Sequence, residues 1–440
     1  MLSVPVETAT LIMLGSMIFL MMLGLPLAFI TMSIALVGAV VFIGPNALPL
    51  VASRMYSLIT EYTLVAVPLF ILMSTFMEKA GIARDLFDAM SVWGNSIPGG
   101  VGVQTMVAAV FLAAITGIAG GELLMLGLVA LPQLLRLNYD KHMSVGLICV
   151  GGGLGTMIPP SIILIFFALE AGVPTGDLFL ASFIPGFMLA SFYIIYIITV
   201  CYFDPSKGPT RKLEDLPPMK ERIKLLKKLI APGLIASWIM ISIYGGIATV
   251  TETAATGALA ALAIGIKRKK VNFNFLKDCT SYTLSVTGRL FWLTMGSTSL
   301  IGVFSIMGGT AYLKSLMLGL PFDPIGIVLT MMGILVILGM FMDWIGILLL
   351  TSPIFVPIIV QLGFSPIWYG VLFSLNMQVS FVSPPFGPAC FYIKSVAPPQ
   401  ISLFDIFKGV TPFILLQILA ITILVIYPDI ALFLPSLLNK

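Results

Sequence analysis

The sequence predicts an all-α polytopic membrane protein made of two halves of inverted topology, each with a re-entrant helical hairpin and a broken helix. Three observations predict it. The 440 residues are 59% hydrophobic and only 10% charged, with a mean hydropathy of +1.10. Many windows exceed about 18 residues without a charge, more apolar sequence than a soluble core of this size requires. Two apolar runs, about 143–171 and about 366–396, are interrupted by paired prolines. The interruptions are Gly151-Gly152-Gly153-Leu154-Gly155-Thr156-Met157-Ile158-Pro159-Pro160-Ser161 and Val382-Ser383-Pro384-Pro385-Phe386-Gly387-Pro388. These interruptions are also related. Pro159 and Pro384 lie 225 residues apart, and at that offset Pro132 falls on Pro357, Leu137 on Leu362, Tyr139 on Phe364 and Gly121 on Gly346, without a gap across about forty residues.

Proline has no N–H and clashes with the preceding turn, so carbonyls before it lose their helical partners. In hydrocarbon such carbonyls are costly unless protein, water or an ion satisfies them. A single break reads equally as a kink repaired by nearby Ser and Thr hydroxyls. Two breaks at corresponding places in two related halves are the pattern of a secondary transporter's binding site.

In chain order, the first segment spans about Thr8 to Leu23 and breaks at Gly24-Leu25-Pro26; a second continues to Phe42 and ends at Gly44-Pro45-Asn46. Leu48 to Ile59, with Arg54, reads as a short interfacial helix. A span from Leu64 to Phe76 contains Pro68, and an amphipathic stretch from Ala83 to Trp93 closes at Ile97-Pro98-Gly99-Gly100. Val101 to Ile115 and Glu122 to Leu135 are short for crossings and read as a re-entrant hairpin over about 101–135, its tip at Thr116-Gly117-Ile118-Ala119-Gly120-Gly121. The first broken helix follows, then a long span from Leu178 to Tyr202. Residues 1–203 thus form a first repeat and 204–228 a polar linker, with eight Lys or Arg against four acids.

The second repeat, 229–440, has spans at about Leu229 to Ala248 and Thr253 to Ile266, then the basic cluster Lys267-Arg268-Lys269-Lys270. An amphipathic arm is expected at Phe273 to Ser285 and a separate span from Arg289 to Met307. The second hairpin covers about 325–360, with arms Ile325 to Phe341 and Ile345 to Val360; the second broken helix and a last span, about Ile406 to Tyr427, follow. This makes ten full crossings and two hairpins. Five crossings per half is odd, hence the inversion. Placing the linker and the 267–270 cluster inside, by the positive-inside rule, puts both termini outside. The N-terminus has no basic region or small-residue cleavage site, so the first span is expected to be retained.

Ionisable groups within the membrane are functional candidates by default. Glu122 opens the second arm of the first hairpin and suits either a cation or the positive end of its own helix; Asp343, at the second tip, has the same two roles open. Glu252, in Thr249-Val250-Thr251-Glu252-Thr253, reads as a capping residue, and Arg289 as an interfacial one. Glu170 and Lys394 lie late in the broken runs and suit either the interface or the substrate path. Sodium favours carbonyl and hydroxyl oxygens, which makes Thr116, Thr156, Ser161, Ser380 and Ser383 candidate ligands, although a lone hydroxyl more often serves helix packing. Cys149, Cys201, Cys279 and Cys390 have no ligand spacing and read as small buried hydrophobes, and the single histidine, His142, as a helix-start residue near a membrane surface. No H-E-x-x-H motif, Ser/His arrangement or phosphate-cradling G-x-x-x-x-G-K-[ST] loop is present, which argues against an intramembrane protease and against ATP hydrolysis by this chain.

Over nearly its whole length the chain resembles the large membrane subunit (DctM-type) of tripartite ATP-independent periplasmic (TRAP) transporters. The marks are Val67-Pro68-Leu69-Phe70-Ile71-Leu72-Met73 with Glu78-Lys79-Ala80-Gly81-Ile82, then Ile97-Pro98-Gly99-Gly100 and Thr116-Gly117 with Glu122. Gly155-Thr156-Met157-Ile158-Pro159-Pro160-Ser161, Gly339-Met340-Phe341-Met342-Asp343 and Ser383-Pro384-Pro385-Phe386-Gly387 complete the series. Each is weak alone; their order and spacing are specific.

The resemblance implies sodium-coupled organic-acid uptake by an elevator-type transport domain moving on a scaffold. It implies a bacterial or archaeal cytoplasmic membrane and two partner chains, a periplasmic substrate-binding protein and a small membrane subunit of about four helices. One sodium site would use Thr116, Gly117, Gly152, Gly155, Thr156 and Pro159, and the other Gly339, Asp343, Ser380, Val382, Ser383 and Gly387. Glu122, Pro160, Ser161 and Pro385 are the candidate substrate contacts. Many members of that family carry serines after the first-tip glycine, where this chain has Ile118-Ala119-Gly120-Gly121, which keeps the backbone oxygens and removes the hydroxyls. No cofactor is expected beyond Na+ as coupling ion, and no nucleic acid. The competing expectation is a stand-alone sodium- or proton-coupled dicarboxylate or citrate symporter of related build; a channel is disfavoured because the two re-entrant tips differ.

Overall fold

A computed structural model describes residues 4–90, 92–93, 97–117, 121–210 and 218–438, and every regular element among them is helical. The chain opens with α1 (Val6–Met22) and α2 (Leu27–Gly38), which a π turn, Ala39–Ile43, extends. Next come the short α3 (Leu48–Ile59), then α4 (Ala66–Lys79) and the amphipathic α5 (Ile82–Met90). Helices α6 (Gly100–Thr116) and α7 (Gly121–Arg136) pack side by side, and the first interrupted run follows as α8 (Lys141–Gly151) and α9 (Ile162–Ala171). The long α10 (Thr175–Phe203) completes this part.

Beyond the linker lie α11 (Met219–Leu226), α12 (Ile230–Tyr244), α13 (Val250–Lys267), α14 (Phe273–Ile306) and α15 (Gly309–Leu318). A second side-by-side pair is α16 (Pro324–Gly339) with α17 (Trp344–Gln361). The second interrupted run gives α18 (Pro366–Val382) and α19 (Pro388–Val396), and α20 (Leu403–Ile426) and α21 (Asp429–Leu438) close the fold.

Six helical stretches among the described residues are long and apolar enough to cross a bilayer, and Gly100–Thr116 and Pro324–Gly339 are among the shorter apolar helices. Large apolar side chains such as Leu11, Met22, Leu234 and Leu415 stand exposed on the outside. This is the surface of a multi-pass membrane protein, whose solvent at mid-depth is hydrocarbon. With no hydrophobic drive between helices in lipid, small residues let backbones approach. At Gly296 of α14 an added Cβ would stand 2.9 Å from the Ala28 carbonyl of α2, and at Gly257 of α13 it would meet Met73 Sδ of α4 at 2.6 Å. In the same way Gly146 of α8 lies against the Gly409 carbonyl of α20, and Gly409 against the His142 carbonyl of α8.

Helix starts follow capping chemistry. Asp140 accepts from the Met143 N–H at 2.9 Å to begin α8, and Asn272 accepts from Phe275 at 2.8 Å to begin α14. Thr249 and Glu252 form a capping box on α13, as Ser402 and Asp405 do on α20, so Glu252 is the cap its sequence context indicates. His142 is the second residue of α8, its ring Nε2 3.2 Å from Asp405 Oδ1. All four cysteines are buried and free.

Three expectations are corrected. The arm and span expected on either side of Gly288 are one continuous 34-residue helix, α14. A lone glycine inside a helix costs about 1 kcal/mol, too little to stop one capped at Asn272. Arg289 therefore sits in mid-helix, where its Nε donates to the Ser285 carbonyl at 3.2 Å. Helix α11 occupies part of the linker, and α15 and α21 are short helices where no element was expected. The half-buried Lys394 donates from Nζ to the Ile401 carbonyl at 2.6 Å, which leaves both of its expected places open.

The linker and the 267–270 cluster meet at one end of the molecule. Lys228 lies 2.7 Å from Asp85 Oδ1 and Arg268 lies 2.5 Å from Asp85 Oδ2, so α5 ties both basic segments together.

Candidate ion-binding and substrate site

Helix α8 stops at Gly151, and after one 3-10 turn at Leu154–Thr156 the chain runs irregularly to α9 at Ile162. Pro159 and Pro160, joined by a cis peptide, cannot supply the N–H groups that would continue α8. Hydroxyls and backbone amides take over. The Gly153 carbonyl accepts from the Thr156 hydroxyl at 2.8 Å, and the Leu154 carbonyl accepts from the Met157 and Ile158 amides, each at 2.9 Å. The Thr156 carbonyl accepts two hydroxyls, from Ser161 at 2.6 Å and from Ser374 of α18 at 2.7 Å. Residues 143–168 are all buried, so the whole break lies inside the protein.

The tip of the first helix pair is pressed onto this break. Gly117 ends α6 at φ +63°, in contact with the Pro160 carbonyl, and its own carbonyl accepts from the Ile162 N–H at 3.2 Å. Gly152 faces the Leu123 backbone, where an added Cβ would sit 2.7 Å from Leu123 Cα. Gly155 faces the Glu122 carboxyl, which a Cβ there would displace. The structure therefore brings Thr116, Gly117, Glu122, Gly152, Gly155 and Pro160 into one cluster, with Thr156, Pro159 and Ser161 in the adjoining turns. Ile118, Ala119 and Gly120 lie outside the described residues.

Glu122 is 2% exposed. Its Oε1 accepts from the Thr116 hydroxyl, while Oε2 is buried with no hydrogen-bond partner. A narrow cleft opens beside it, between α6 and α7 on one side and α4 and α14 on the other, and Ser74, Thr75, Glu78 and Tyr282 line its far wall.

The second break is built differently. Helix α18 ends at Val382 and α19 begins at Pro388, with a cis peptide between Pro384 and Pro385. Ser383 donates to the Val379 carbonyl at 2.7 Å, and Gly387 folds back so closely that a Cβ would lie 2.7 Å from the Val382 carbonyl carbon. Pro384, Pro385 and Phe386 are exposed, in contrast to the buried first break, so the substrate candidates Pro160 and Pro385 stand in unlike surroundings. Gly339, at the end of α16, packs directly on Ser380, whose Oγ is buried without a partner, and exposed Asp343 is the N-cap residue of α17. A narrow cleft joins Gly339, Asp343 and Ser380 to Thr156 of the first break. Val382, Ser383 and Gly387 form the turn of the break itself and do not line that cleft.

Several site residues were not anticipated. Ser374, which bonds the first break across 218 residues of sequence, gives no local signal. Asn376 and Gln378 do, as amides within an apolar run; both are buried, and Asn376 Oδ1 and both Gln378 amide atoms lack partners. Their i, i+2 spacing puts them on opposite sides of α18, and Gln378, four residues past Ser374, shares its face.

A family model described as "Tripartite ATP-independent periplasmic transporter, DctM component" matches residues 14–430. The isethionate TRAP transporter permease protein DctMQ of Oleidesulfovibrio alaskensis is 26% identical over 430 residues, 96% of this chain. The chain spans 66% of that relative's length. The C4-dicarboxylate TRAP transporter large permease protein DctM of Vibrio cholerae is 27% identical over 454 residues, 96% of this chain and 98% of the relative. Among solved structures, the YdaH transporter of Alcanivorax borkumensis shares the fold, with a TM-score of 0.61 at 12% identity over 95% of this chain and 97% of that one.

Proposed function

Because the chain belongs to the DctM component family of tripartite ATP-independent periplasmic transporters, we propose that it is the large permease subunit of a binding-protein-dependent secondary transporter that imports a small organic acid down a sodium gradient. The observation that carries this reading is the convergence of Thr156, Gly339, Asp343 and Ser380 on one cleft, next to the buried cluster around Glu122 and Gly155. Residues from two distant interruptions meet there, and the Ser380 hydroxyl beside Asp343 and Thr156 is buried without a partner, an oxygen-rich setting that suits a small hard cation. The relatives described above are named for isethionate and C4-dicarboxylates, both organic acids.

In this reading, residues 1–203 and 229–440 are inverted repeats joined by the linker. Sodium binds oxygens of Thr116, Gly117, Gly152, Gly155, Thr156 and Pro159 at the first break, and of Gly339, Asp343, Ser380, Val382, Ser383 and Gly387 at the second. Bound ions fix the hairpin tips to the breaks, and helix N-termini then attract the substrate carboxylate near Pro160, Ser161 and Pro385. The hairpins and broken helices slide as one body against α4, α13 and α14. The shared contact of Lys228 and Arg268 with Asp85 suits a common inner face for the basic segments, which leaves both termini outside an inner membrane. The fused name of one relative is compatible with a small membrane subunit as a separate partner here.

The test is uptake by proteoliposomes holding this chain and its small subunit, with and without the binding protein, under an inward sodium gradient. Uptake that needs both sodium and the binding protein is the expected result, with Pro159→Ala and Gly155→Leu depressing it at low sodium. Normal transport by both variants at low sodium sinks the ion assignment. Uptake without the binding protein indicates the stand-alone symporter, and uptake that follows a proton gradient moves coupling to Glu122 and Asp343.

A further inference from the structure

The end of the molecule where Asp85 joins Lys228 to Arg268 carries a surface that transport itself leaves unused. Helix α11 runs through a 3-10 turn, Lys227–Leu229, into α12, and Met219–Tyr244 is one helical stretch long and apolar enough to cross a bilayer. No residue of α11 is buried. Met219, Ile223, Leu226 and Ile230 are exposed at spacings of four, three and four, which puts them on one face of that stretch. The face continues as the exposed Leu234 and Ile241 of α12, which a spanning helix turns to lipid. Lys220, Lys224 and Lys227 form a parallel stripe one position further round, exposed and with no ion-pair partner among the described residues.

The second part of this surface is the turn between α13 and α14, which Asp85 holds beside α11 through Arg268 and Lys228. Exposed Lys267, Lys269 and Lys270 lie in it, followed by Phe273, which is 80% exposed at the first turn of α14. Lys269 has a left-handed φ of +55°, and its N–H and that of Lys270 close the end of α13 on the Ile266 and Gly265 carbonyls. Glycine is the usual residue at such a helix end, because it has no Cβ to strain. A lysine there keeps a charge at a conformational cost. The neighbouring acids are engaged elsewhere: Asp85 and Asp88 face Lys228, and Asp278 pairs with Lys79 at 3.5 Å. Glu221 is the one carboxylate on α11.

We infer that this surface docks on anionic phospholipid of the surrounding bilayer, with α11 lying in the headgroup layer and its apolar face toward the acyl chains. Lys220, Lys224, Lys227, Lys267, Lys269 and Lys270 then face the lipid phosphates. A helix with lysines flanking an apolar stripe lies in the interfacial plane, and a basic cluster beside a span draws anionic lipid to it. Charge alone would fit a soluble acidic partner as well. The apolar face decides for lipid, because it runs without a break into the lipid-facing side of α12 and is joined by Phe273 at the same end. The inference needs only that the chain spans a membrane; it holds for any solute and any coupling ion.

The test is electron spin resonance of the whole chain, with its small subunit, in phosphatidylcholine liposomes holding a trace of spin-labelled lipid. Spin-labelled phosphatidylglycerol is expected to associate with the protein about threefold or more strongly than spin-labelled phosphatidylcholine. Lys220→Gln, Lys224→Gln and Lys227→Gln together lower that preference, as do Lys267→Gln, Lys269→Gln and Lys270→Gln together, and all six bring it close to one. These side chains are exposed, and Lys228, Arg268 and Asp85 stay intact, so the fold is left alone. Lys207→Gln, Lys314→Gln and Lys408→Gln together, outside both segments, retain most of the preference. A second reading places a nitroxide at Ile223→Cys, which in phosphatidylglycerol membranes meets dissolved oxygen more readily than a water-soluble nickel chelate. Equal association of the two lipids overturns the inference, as does a preference that survives the six substitutions or falls as far in the control set. An aqueous profile at position 223 overturns it too, since α11 then faces a soluble partner. So does displacement of the labelled lipid by inorganic phosphate at constant ionic strength, since the lysines then hold the free anion. No gradient, solute or binding protein enters these measurements, so their failure leaves the transport reading standing, and failure of uptake leaves this one.

Discussion

Gly339 and Gly117 matter at the residue scale because each lacks a Cβ where another part of the site must lie. Gly117 combines a left-handed φ of +63° with contact to the Pro160 carbonyl, so a side chain there is both strained and obstructed. The conformational part alone costs about 1–2 kcal/mol. Gly339 has no such backbone demand; what a Cβ would strike is the Ser380 side chain. This difference makes the second tip testable by compensation. Gly339→Ala is expected to pry the tip from α18 and lower sodium affinity, at a cost of about 1–3 kcal/mol for overpacking. Adding Ser380→Gly removes the obstructing Cβ and Oγ and returns most of the lost stability, though not the hydroxyl. Thermal unfolding of the single and double variants, with and without sodium, checks this. A double variant no more stable than Gly339→Ala would show that the two residues are not coupled.

The element scale explains how helices too polar or too short to be obvious are held. At about 1.5 Å per residue α14 extends for about 50 Å, well past the hydrocarbon thickness of about 30 Å, so its first part must leave the apolar zone. That is why its N-terminal half reads as a separate amphipathic arm, and why only the Asn272 cap and the uninterrupted backbone reveal one helix. Helix α5 buries Leu86 and Phe87 and is tied on its other face by charge. Partial burial of Asp85 acts to raise its pKa, but the ion pairs to Lys228 and Arg268 outweigh it and hold the carboxyl below the ordinary aspartate range. A folded-state pKa below the unfolded one means that Asp85 adds stability in full above the unfolded value and loses it as pH falls through the folded one. Asp85→Asn is therefore expected to cost about 1–2 kcal/mol near neutrality and progressively less in acid. Unfolding curves of both proteins from neutral to acid pH measure the gap. A gap that is constant or widens toward acid contradicts the assignment.

At the scale of the whole molecule, what could be read from the sequence was what is local or periodic. The helix end at Val382 follows from the missing N–H of the prolines just beyond it and that at Gly151 from the glycine run 151–153, and the helices on either side of each tip follow from glycine-containing turns between short apolar runs. Helices α15 and α21 were not legible, because ten mostly apolar residues, too few to cross a bilayer, after Gly308 or Pro428 look the same as the end of a preceding span. The hydroxyl of Ser374 on the Thr156 carbonyl was beyond reach for a different reason: pairing across 218 residues leaves no periodic trace. That bond and the Thr156–Ser380 cleft tie the two breaks into one unit, whereas the first hairpin meets α4 and α14 across an open cleft. Helix α17 of the second hairpin packs directly on α14, so the sliding proposed above would have to shear that contact while the cleft at the first hairpin changes its width. Thr75 on α4 and Met125 on α7 line opposite walls of that cleft. Cysteines at both positions, joined by a reducible bifunctional maleimide, are expected to hold uptake near background until reductant cuts the linker. The native cysteines are buried, so the unsubstituted protein under the same treatment serves as the control. If the linked protein transports at the control rate, α7 does not travel past α4, and the elevator movement must give way to a local opening of the hairpin tips.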